Sequence, residues 1–290
     1  SVLSSHGGNG IGLDDVSFSR LSPVPMSVSA ATNSPVCEGS ALNFTPTTLG
    51  GSVSISYHWS GPNSYSSNSS LPSITNVPLA AAGTYYVTAT DLLNCSVSAV
   101  VPAVVVNPKP AASITVTENT GVAINDKITC SGDSVTLTAN PATGMSYAWA
   151  APLSSADQIV GVVPTSTTVY NLTVSNLTTG CSASVSETVQ VNPKPILTAT
   201  LTAGMIVDSA HVLTSVDSNL VLLSAGGGTV PYNFTAVSGN SKFRSSISTN
   251  QKIFTAPANS SMYVYTVTDV NGCFNSSSIT SSAGNPTNIA

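Results

Sequence analysis

Five cysteines are the residues best able to form specific covalent bonds in this chain of 290 residues. Four of them fall into two pairs with the same order along the chain, Cys37 with Cys95 and Cys130 with Cys181. Equivalent pairs in a small repeated unit predict two intradomain disulfides, which persist in oxidising, extracellular compartments. Buried free thiols are the alternative interpretation. Cys273 has no partner in its own repeat, so we expect it to be unpaired.

Residues that could support catalysis or metal binding are few. His211 follows Asp208 and Ser209, but no Gly-x-Ser-x-Gly turn exposes a nucleophile. No cysteine–histidine spacing suits zinc. Asp14 and Asp15 could offer oxygen ligands to Ca²⁺ within a turn, although solvated carboxylates are the simpler interpretation. We therefore predict that the chain is not an enzyme and has no catalytic residues, no cofactor and no metal site.

The composition excludes two classes of partner. Charged residues make up 7% of the chain, against the roughly 25% usual in soluble domains, and the net charge is −5. Such a chain has no basic face for nucleic acid, and no apolar run is long enough to span a bilayer. We expect neither nucleic-acid binding nor membrane insertion. The chain starts without Met, so we also expect that a leader was removed or that this is a fragment.

One phrase occurs three times along the chain. It begins at Tyr85, Tyr170 and Tyr263 and reads Tyr-x-[apolar/Tyr]-Thr-[Ala/Val]-[Ser/Thr]-[Asp/Asn], followed a few residues later by Cys. The copies are 85 and 93 residues apart. That period is the length of a small domain and is too long for a solenoid repeat. The sequence therefore predicts three tandem domains.

Each repeat also carries an aromatic pair in an early strand. Because residues two apart share one face of a strand, the pair can place a large side chain in a core. The pairs are Tyr57 with Trp59, Tyr147 with Trp149, and Tyr232 with Phe234. An aromatic on a middle strand, between two cysteines, is typical of an immunoglobulin-like sandwich. We predict an all-β fold of three tandem immunoglobulin-like β-sandwich domains in an extended row, preceded by an orphan N-terminal strand, with both tryptophans buried beside the disulfides.

The joints between the repeats are similar as well. The segments 104–110 and 189–195 both end in Asn-Pro-Lys-Pro, and two prolines around one lysine favour a short, stiff connector. The predicted boundaries are 1–22 for an N-terminal extended segment, 23–108 for the first domain, 109–194 for the second and 195–290 for the third.

Together these motifs resemble a known family. The openings Val36-Cys-Glu-Gly-Ser40 and Thr129-Cys-Ser-Gly-Asp-Ser134, the Tyr-x-Trp pairs, the repeated phrase and the joints are similar to the tandem PKD-like/Ig-like repeats of Bacteroidota cell-surface adhesins, which include type IX secretion cargo. The match covers residues 26–195 and weakens in the third repeat. The resemblance implies an extracellular or cell-surface protein that serves adhesion or spacing without catalysis. It also implies O-glycans, since Ser134 and Ser209 lie in Asp-Ser-apolar acceptor triplets.

The N-terminal segment belongs to no repeat. Its apolar residues Ile11, Leu13, Val16 and Phe18 form an isolated strand that cannot bury its side chains alone. The last strand of the third repeat, in contrast, ends in Ser281-Ser-Ala283, so we expect its edge strand to be weak or missing. Adding an extended segment to an open sheet edge is a known mode of association, and head-to-tail addition gives a filament. We predict a homopolymer in which these four residues form a donor strand beside the next subunit's third domain.

Alternatives to this filament remain open at this point. The C-terminal tail 277–290 could act as the donor in the opposite direction, or residues 1–22 could fold back on the first domain. The chain could also be a non-polymerising stalk or a carbohydrate-binding adhesin module of a larger secreted protein. Exposed aromatic platforms would favour carbohydrate binding, and Tyr65 is one candidate.

Overall fold

The computed structural model describes residues 25–51, 54–202, 218–238, 241–257 and 261–281. Apart from one short 3₁₀ turn, all regular structure in this part of the chain is β-strand. The chain divides between Lys109 and Pro110 into two compact units. The fold is therefore all-β, as predicted.

The first unit is one sandwich. Its described strands are β1 (Ser27–Thr32), β2 (Val36–Cys37), β3 (Leu42–Leu49), β4 (Ile55–Gly61), β5 (Tyr65–Ser67), β6 (Ser73–Ile74), β7 (Gly83–Asp91), β8 (Ser96–Val104) and β9 (Val106–Asn107), with the 3₁₀ turn at Leu79–Ala81. One sheet has the order β1-β3-β6 and the other β5-β4-β7-β8, while β2 pairs in parallel with β9.

The second unit contains two further pairs of sheets. The second sandwich is built from β10 (Ser113–Thr117), β11 (Ile128–Cys130), β12 (Val135–Asn140), β13 (Met145–Trp149), β14 (Ile159–Val162), β15 (Thr168–Asn176) and β16 (Ser182–Asn192). The third is built from β17 (Pro195–Thr202), β18 (Ser218–Gly227), β19 (Asn233–Ala236), β20 (Lys242–Ser248), β21 (Gln251–Pro257), β22 (Met262–Thr268) and β23 (Phe274–Thr280). Their sheets have the orders β10-β12-β14 with β11-β16-β15-β13, and β17-β18-β21-β20 with β19-β22-β23.

The strand order is that of immunoglobulin-like sandwiches. In each sandwich the strand that carries the aromatic pair (β4, β13 or β19) lies beside the strand of the repeated phrase (β7, β15 or β22), and the final strand follows on the far side. The first two sandwiches also share a short strand that pairs in parallel with the end of the final strand, β2 with β9 and β11 with β16. The predicted class of tandem immunoglobulin-like sandwiches is confirmed.

The repeated phrase folds as its alternation predicts. In β7 the side chains of Tyr85, Val87 and Ala89 are all fully buried, so one face of the strand forms the core. β15 and β22 repeat this pattern. The threonine of the phrase points to the other face, where its hydroxyl is paired with a serine hydroxyl of the next strand. These pairs are Thr88–Ser98 at 2.8 Å, Thr173–Ser184 at 2.9 Å and Thr266–Ser276 at 3.2 Å.

Both predicted core tryptophans are buried. Trp59 is inaccessible to solvent, and its indole N–H donates to the carbonyl of Ser69 at 3.0 Å. Trp149 donates in the same way to the carbonyl of Asp157 at 2.9 Å. In the first sandwich the ring centroid of Phe44 lies 5.4 Å from that of Trp59. Burial of a large ring together with a satisfied indole N–H explains why these positions carry tryptophan.

Two expectations from the sequence need correction: the final strand of the third sandwich is not missing, and Tyr65 does not form an exposed platform. The final strand of the third sandwich is present, since β23 pairs with β22 from Met262–Thr280 to Thr268–Phe274. A serine-rich strand can still form because backbone groups make the ladder, whatever the side chains. Tyr65 is not an exposed platform, because its half-buried ring stacks on Phe44 with the centroids 5.8 Å apart and packs against the core.

Several predicted residues lie outside the described part of the chain. They are the donor residues Ile11, Leu13, Val16 and Phe18, the acidic pair Asp14 and Asp15, and the group Asp208, Ser209 and His211.

Candidate functional site: the joint between the second and third sandwiches

The hairpin turn after each repeated phrase is closed by the last residue of the phrase. In the third sandwich, Asp269 Oδ1 accepts hydrogen bonds from the backbone N–H groups of Asn271 (3.0 Å) and Cys273 (2.9 Å). Its Oδ2 accepts from the N–H of Thr229 at 2.9 Å, so the buried carboxylate has partners on both oxygens. Asp and Asn favour such turns because a short side chain reaches the backbone two residues ahead. The turn therefore fixes the position of Cys273.

In the second sandwich, the Cys-x-Gly motif forms a tight turn at the opposite end from the hairpin turn. The N–H of Asp133 donates to the carbonyl of Cys130 at 3.0 Å, and Gly132 has a φ of +80°, which glycine adopts without steric cost. In the first sandwich the N–H of Ser40 donates to Cys37 in the same way, and Gly39 has a φ of +78°. We call this turn the base turn.

The lysine of each Asn-Pro-Lys-Pro segment lies against the base turn of the sandwich that precedes it. The Lys194 ammonium forms an ion pair with the Asp133 carboxylate. In the first sandwich, a Cβ atom added to Gly39 would lie 3.0 Å from the Nζ of Lys109. The two motifs recur together in the sequence because they touch each other in the fold.

A loop of the second sandwich, residues 118–127, completes the joint. The buried carboxylate of Glu118 accepts hydrogen bonds from the N–H groups of Thr120 (3.0 Å) and Asp126 (2.9 Å) and thereby shapes the loop. At its end, the Lys127 ammonium donates to Glu187 at 2.8 Å, and this hydrogen bond lowers the pKa of the Glu187 carboxyl.

A disulfide joins the two sandwiches. Cys130, at the end of β11, is bonded to Cys273, in the hairpin turn of the third sandwich, with the Cα atoms 5.5 Å apart. Both cysteines are buried. The predicted bond between Cys130 and Cys181 is therefore wrong, and so is the prediction that Cys273 is unpaired.

The predicted bond between Cys37 and Cys95 is wrong as well, because Cys95 is a free, exposed thiol. Cys37 and Cys181 are both disulfide cysteines, as expected, but not in the predicted pairs. The reason is the length of the final strand. Cys130 lies opposite Asn192 at the end of β16, whereas Cys181 directly precedes its start. Eleven residues of strand separate the two positions by roughly 35 Å, far beyond the reach of a disulfide.

Backbone contact between two glycines brings the joint together. A Cβ atom added to Gly272 would lie 2.7 Å from the carbonyl carbon of Gly121 and 3.0 Å from the nitrogen of Val122. Gly272 and Gly121 have φ values of +76° and +90°. Neither glycine is predicted as a functional residue from the sequence. The position of Gly272 directly before a hairpin cysteine was a possible signal, whereas Gly121 has no periodic or motif context.

His58 is exposed, and its Nδ1 lies 2.8 Å from Asn68 Oδ1. Ser134 is exposed at the base turn, and its glycosylation stays a prediction. In the described ranges, no three His, Cys, Asp or Glu side chains are grouped to hold a metal ion. In those ranges there is also no helix with the length and apolarity to cross a bilayer.

A shallow depression of about 280 Å³ lies on the second sandwich. It is lined by Ala150, Asn171, Leu172, Thr173, Ser184, Val185 and Ser186. None of these side chains is ionisable, so the depression offers no acid, base or charged ligand group.

Comparison with known proteins gives likenesses at the level of the fold. No protein-family model matches the sequence, and no curated protein matches it either. Among solved structures, the N-terminal eight Ig domains of Down syndrome cell adhesion molecule are 15% identical with a TM-score of 0.38, covering 89% of this chain and 36% of that one.

Two further solved structures are similar to this chain at the same level. The three N-terminal domains of the bacteriophage RB49 outer capsid protein Hoc are 14% identical, with a TM-score of 0.34, covering 90% of this chain and 100% of that one. A 1.5-MDa bacterial ice-binding adhesin is 14% identical, with a TM-score of 0.31 and coverages of 89% and 98%. Likenesses at this level carry no information about function.

Removal of the disulfide should destabilise the second unit. The bond closes a segment of 143 residues. The chain-entropy model assigns such a closure a stabilisation of about 5 kcal/mol, and measured values are often smaller. We expect the double variant Cys130→Ala/Cys273→Ala to unfold at clearly lower denaturant concentration. Cys95→Ala is the matched control and should change stability by less than about 0.5 kcal/mol. Equal midpoints for the double variant and the native chain under oxidising conditions would contradict the bond.

The contact between the glycines can be separated from the cost of their backbone conformation. Gly272→Ala and Gly180→Ala both place a side chain at positive φ, +76° and +71°, at a cost of about 1–2 kcal/mol each. Only the first meets another backbone, because nothing lies within 4 Å of an added Cβ at Gly180. We expect Gly272→Ala to lower the free energy of unfolding by about 1–3 kcal/mol more than Gly180→Ala does, as measured by chemical denaturation. Equal losses in the two variants would show that the joint does not need this close approach.

Proposed function

We propose that this chain is a structural module of an extracellular surface protein that serves adhesion, in which the second and third sandwiches are held in a fixed relation. The observation that carries the proposal is the Cys130–Cys273 disulfide. Two domains joined by one peptide segment can rotate about it, whereas a second covalent connection removes most of that freedom. A molecule that must hold a binding surface at a defined distance benefits from such a joint.

The chemistry of the joint supports the same interpretation. The connector carries two prolines, Lys194 ties it to Asp133, and the turn at Gly272 rests on the backbone at Gly121. Disulfides persist in oxidising compartments, so the bond is consistent with a secreted or surface protein. We propose no catalytic role for any residue of the chain. Carbohydrate binding is the weaker alternative, since its candidate Tyr65 is half-buried and packs against the core.

The test of this proposal is whether the second and third sandwiches move as one body. Backbone ¹⁵N relaxation of the full chain should give both sandwiches the same rotational correlation time. In the Cys130→Ala/Cys273→Ala variant we expect two different, shorter times, because only the connector then joins them. Cys95→Ala is the control and should behave like the native chain. Independent tumbling of the two sandwiches in the native, oxidised chain would refute a fixed joint.

We further propose that copies of this chain can assemble head to tail into a filament by strand donation. One feature of the described residues favours an acceptor site on the third sandwich. In the first two sandwiches a short parallel strand pairs at the end of the last strands, β2 with β9 over two residues and β11 with β16 over three, whereas no described strand pairs with β23 in this way. An uncovered edge offers backbone donors and acceptors to an added strand. The proposed donor, with Ile11, Leu13, Val16 and Phe18, lies outside the described residues.

Deletion of the donor segment tests the filament. A chain that lacks residues 1–20 should remain folded and monomeric, because the described residues by themselves form a hydrophobic core in each of the three sandwiches. The full chain should form fibres that are visible by electron microscopy, and a synthetic peptide of residues 7–20 should stop their growth. A scrambled peptide of the same composition is the control. If the truncated chain formed the same fibres, strand donation from this end would be wrong.

A further inference from the structure

The hairpin turn of the third sandwich contains an Asn-Gly dipeptide, Asn271-Gly272, directly before the bonded Cys273. The hairpins of the other two sandwiches lack this dipeptide, since Asn94 is followed by cysteine and Gly180 is preceded by threonine. Asparagine is a labile residue, and it loses its amide most readily before glycine, which has no side chain to shield its backbone nitrogen. The joint therefore contains a chemically labile position.

The reaction at such a position needs only the chain and water. The backbone nitrogen of Gly272 attacks the side-chain carbon Cγ of Asn271, and the new C–N bond closes a cyclic imide. The bond from Cγ to Nδ2 breaks, and the amide nitrogen leaves as ammonia with the proton of the attacking nitrogen. Water then adds to one of the two carbonyl carbons that flank the imide nitrogen and opens the ring, which gives aspartate or isoaspartate. No oxidant or reductant takes part.

In the closed joint, hydrogen bonds hold both reacting groups. The Gly272 N–H donates to the carbonyl of Asp269 at 3.1 Å, and the Asn271 Nδ2 donates to the Thr229 hydroxyl oxygen at 2.9 Å. Gly272 also faces another backbone, since an added Cβ atom would lie 2.8 Å from the carbonyl oxygen of Gly121. Ring closure has to turn the side chain of Asn271 toward the Gly272 nitrogen. This rotation breaks hydrogen bonds in a turn that is packed against the opposing loop.

We propose that Asn271-Gly272 is a latent deamidation site, which the closed joint protects and which reacts once the joint opens. Asn271 is half-buried and stays within reach of water, so the fixed geometry of the turn suppresses the reaction, and exclusion of solvent does not. The disulfide between Cys130 and Cys273 keeps the turn in place. Loss of this bond frees the turn and starts a slow, irreversible modification.

The products of the reaction would keep the joint from closing again. Isoaspartate adds one carbon atom to the main chain directly before Gly272, which displaces this residue from its contact with Gly121. Both products also carry a carboxylate in place of the neutral amide. Asn271 and the buried Asp269 both contact Thr229, so the new charge would lie beside a buried charge of the same sign, which is unfavourable. This modification goes beyond the proposed role in adhesion and requires neither adhesion nor filament assembly.

The rate of deamidation at position 271 tests the proposal. The native, oxidised chain is compared with the Cys130→Ala/Cys273→Ala variant and with a synthetic peptide of residues 267–275 that carries Cys273→Ser. All are kept in one mildly alkaline buffer, and aspartate and isoaspartate at position 271 are measured by mass spectrometry of peptides. Because the reaction requires local opening of the turn, we expect the native chain to react at least about tenfold more slowly than the peptide.

The double variant shows whether the disulfide-held joint gives the protection. We expect Asn271 to react several-fold faster in this variant than in the native chain, under conditions where circular dichroism shows that the variant is folded. Cys95→Ala is the control and should react at the native rate. Equal rates in the native chain and the peptide would overturn the proposed protection, and equal rates in the native chain and the double variant would overturn the role of the joint.

A second pair of variants keeps the disulfide and isolates the hydrogen bond of the Asn271 amide. Thr229→Val removes the hydroxyl but retains the backbone N–H that donates to Asp269. Thr266→Val is the matched control, because it makes the same change in the same sandwich and its hydroxyl is paired with Ser276. We expect several-fold faster deamidation of Asn271 in Thr229→Val and an unchanged rate in Thr266→Val. If the two variants react equally fast, the turn does not protect Asn271 in the proposed way.

Discussion

The length of the final strand is the constraint on which the joint depends. In the first two sandwiches this strand runs from the hairpin cysteine at one end to the base turn at the other, as β16 does between Cys181 and the partner of Cys130. The two cysteines of one sandwich are therefore held at opposite ends and cannot meet. In the second unit, Cys130 is bonded instead to Cys273 of the third sandwich, so this disulfide connects two sandwiches.

The repeated motifs meet at this joint. The base turn at Gly132, the connector lysine Lys194 and the hairpin turn closed by Asp269 come from three separate places in the sequence. Each contacts a neighbour that is also repeated, so a change in one would disturb the others. The backbone contact at Gly272 explains why the hairpin carries no side chain there: a Cβ atom would overlap the opposite main chain. A buried carboxylate, Glu118, holds the opposing loop in shape by hydrogen bonds to backbone N–H groups.

The surface of the sandwiches depends on hydroxyl groups more than on charges. With 7% charged residues, few ion pairs are available, and the two described, Lys127–Glu187 and Lys194–Asp133, both lie on the elements of the joint. Elsewhere, cross-strand pairs such as Thr88–Ser98 occupy the outer face of the strand that carries the repeated phrase. Such pairs contribute modestly to a sheet and do not require a charged partner.

The sequence by itself determined the fold class, because alternation with a period of two and buried aromatics at Trp59 and Trp149 are local properties that a sandwich core requires. It also identified the cysteines, the connectors and the base turns as repeated elements. Only the tertiary structure decided which cysteines bond, since order along the chain does not report the roughly 35 Å that a strand of eleven residues imposes. The same holds for Gly121 and Gly272: their contact joins residues that are far apart in sequence, and no local pattern encodes it.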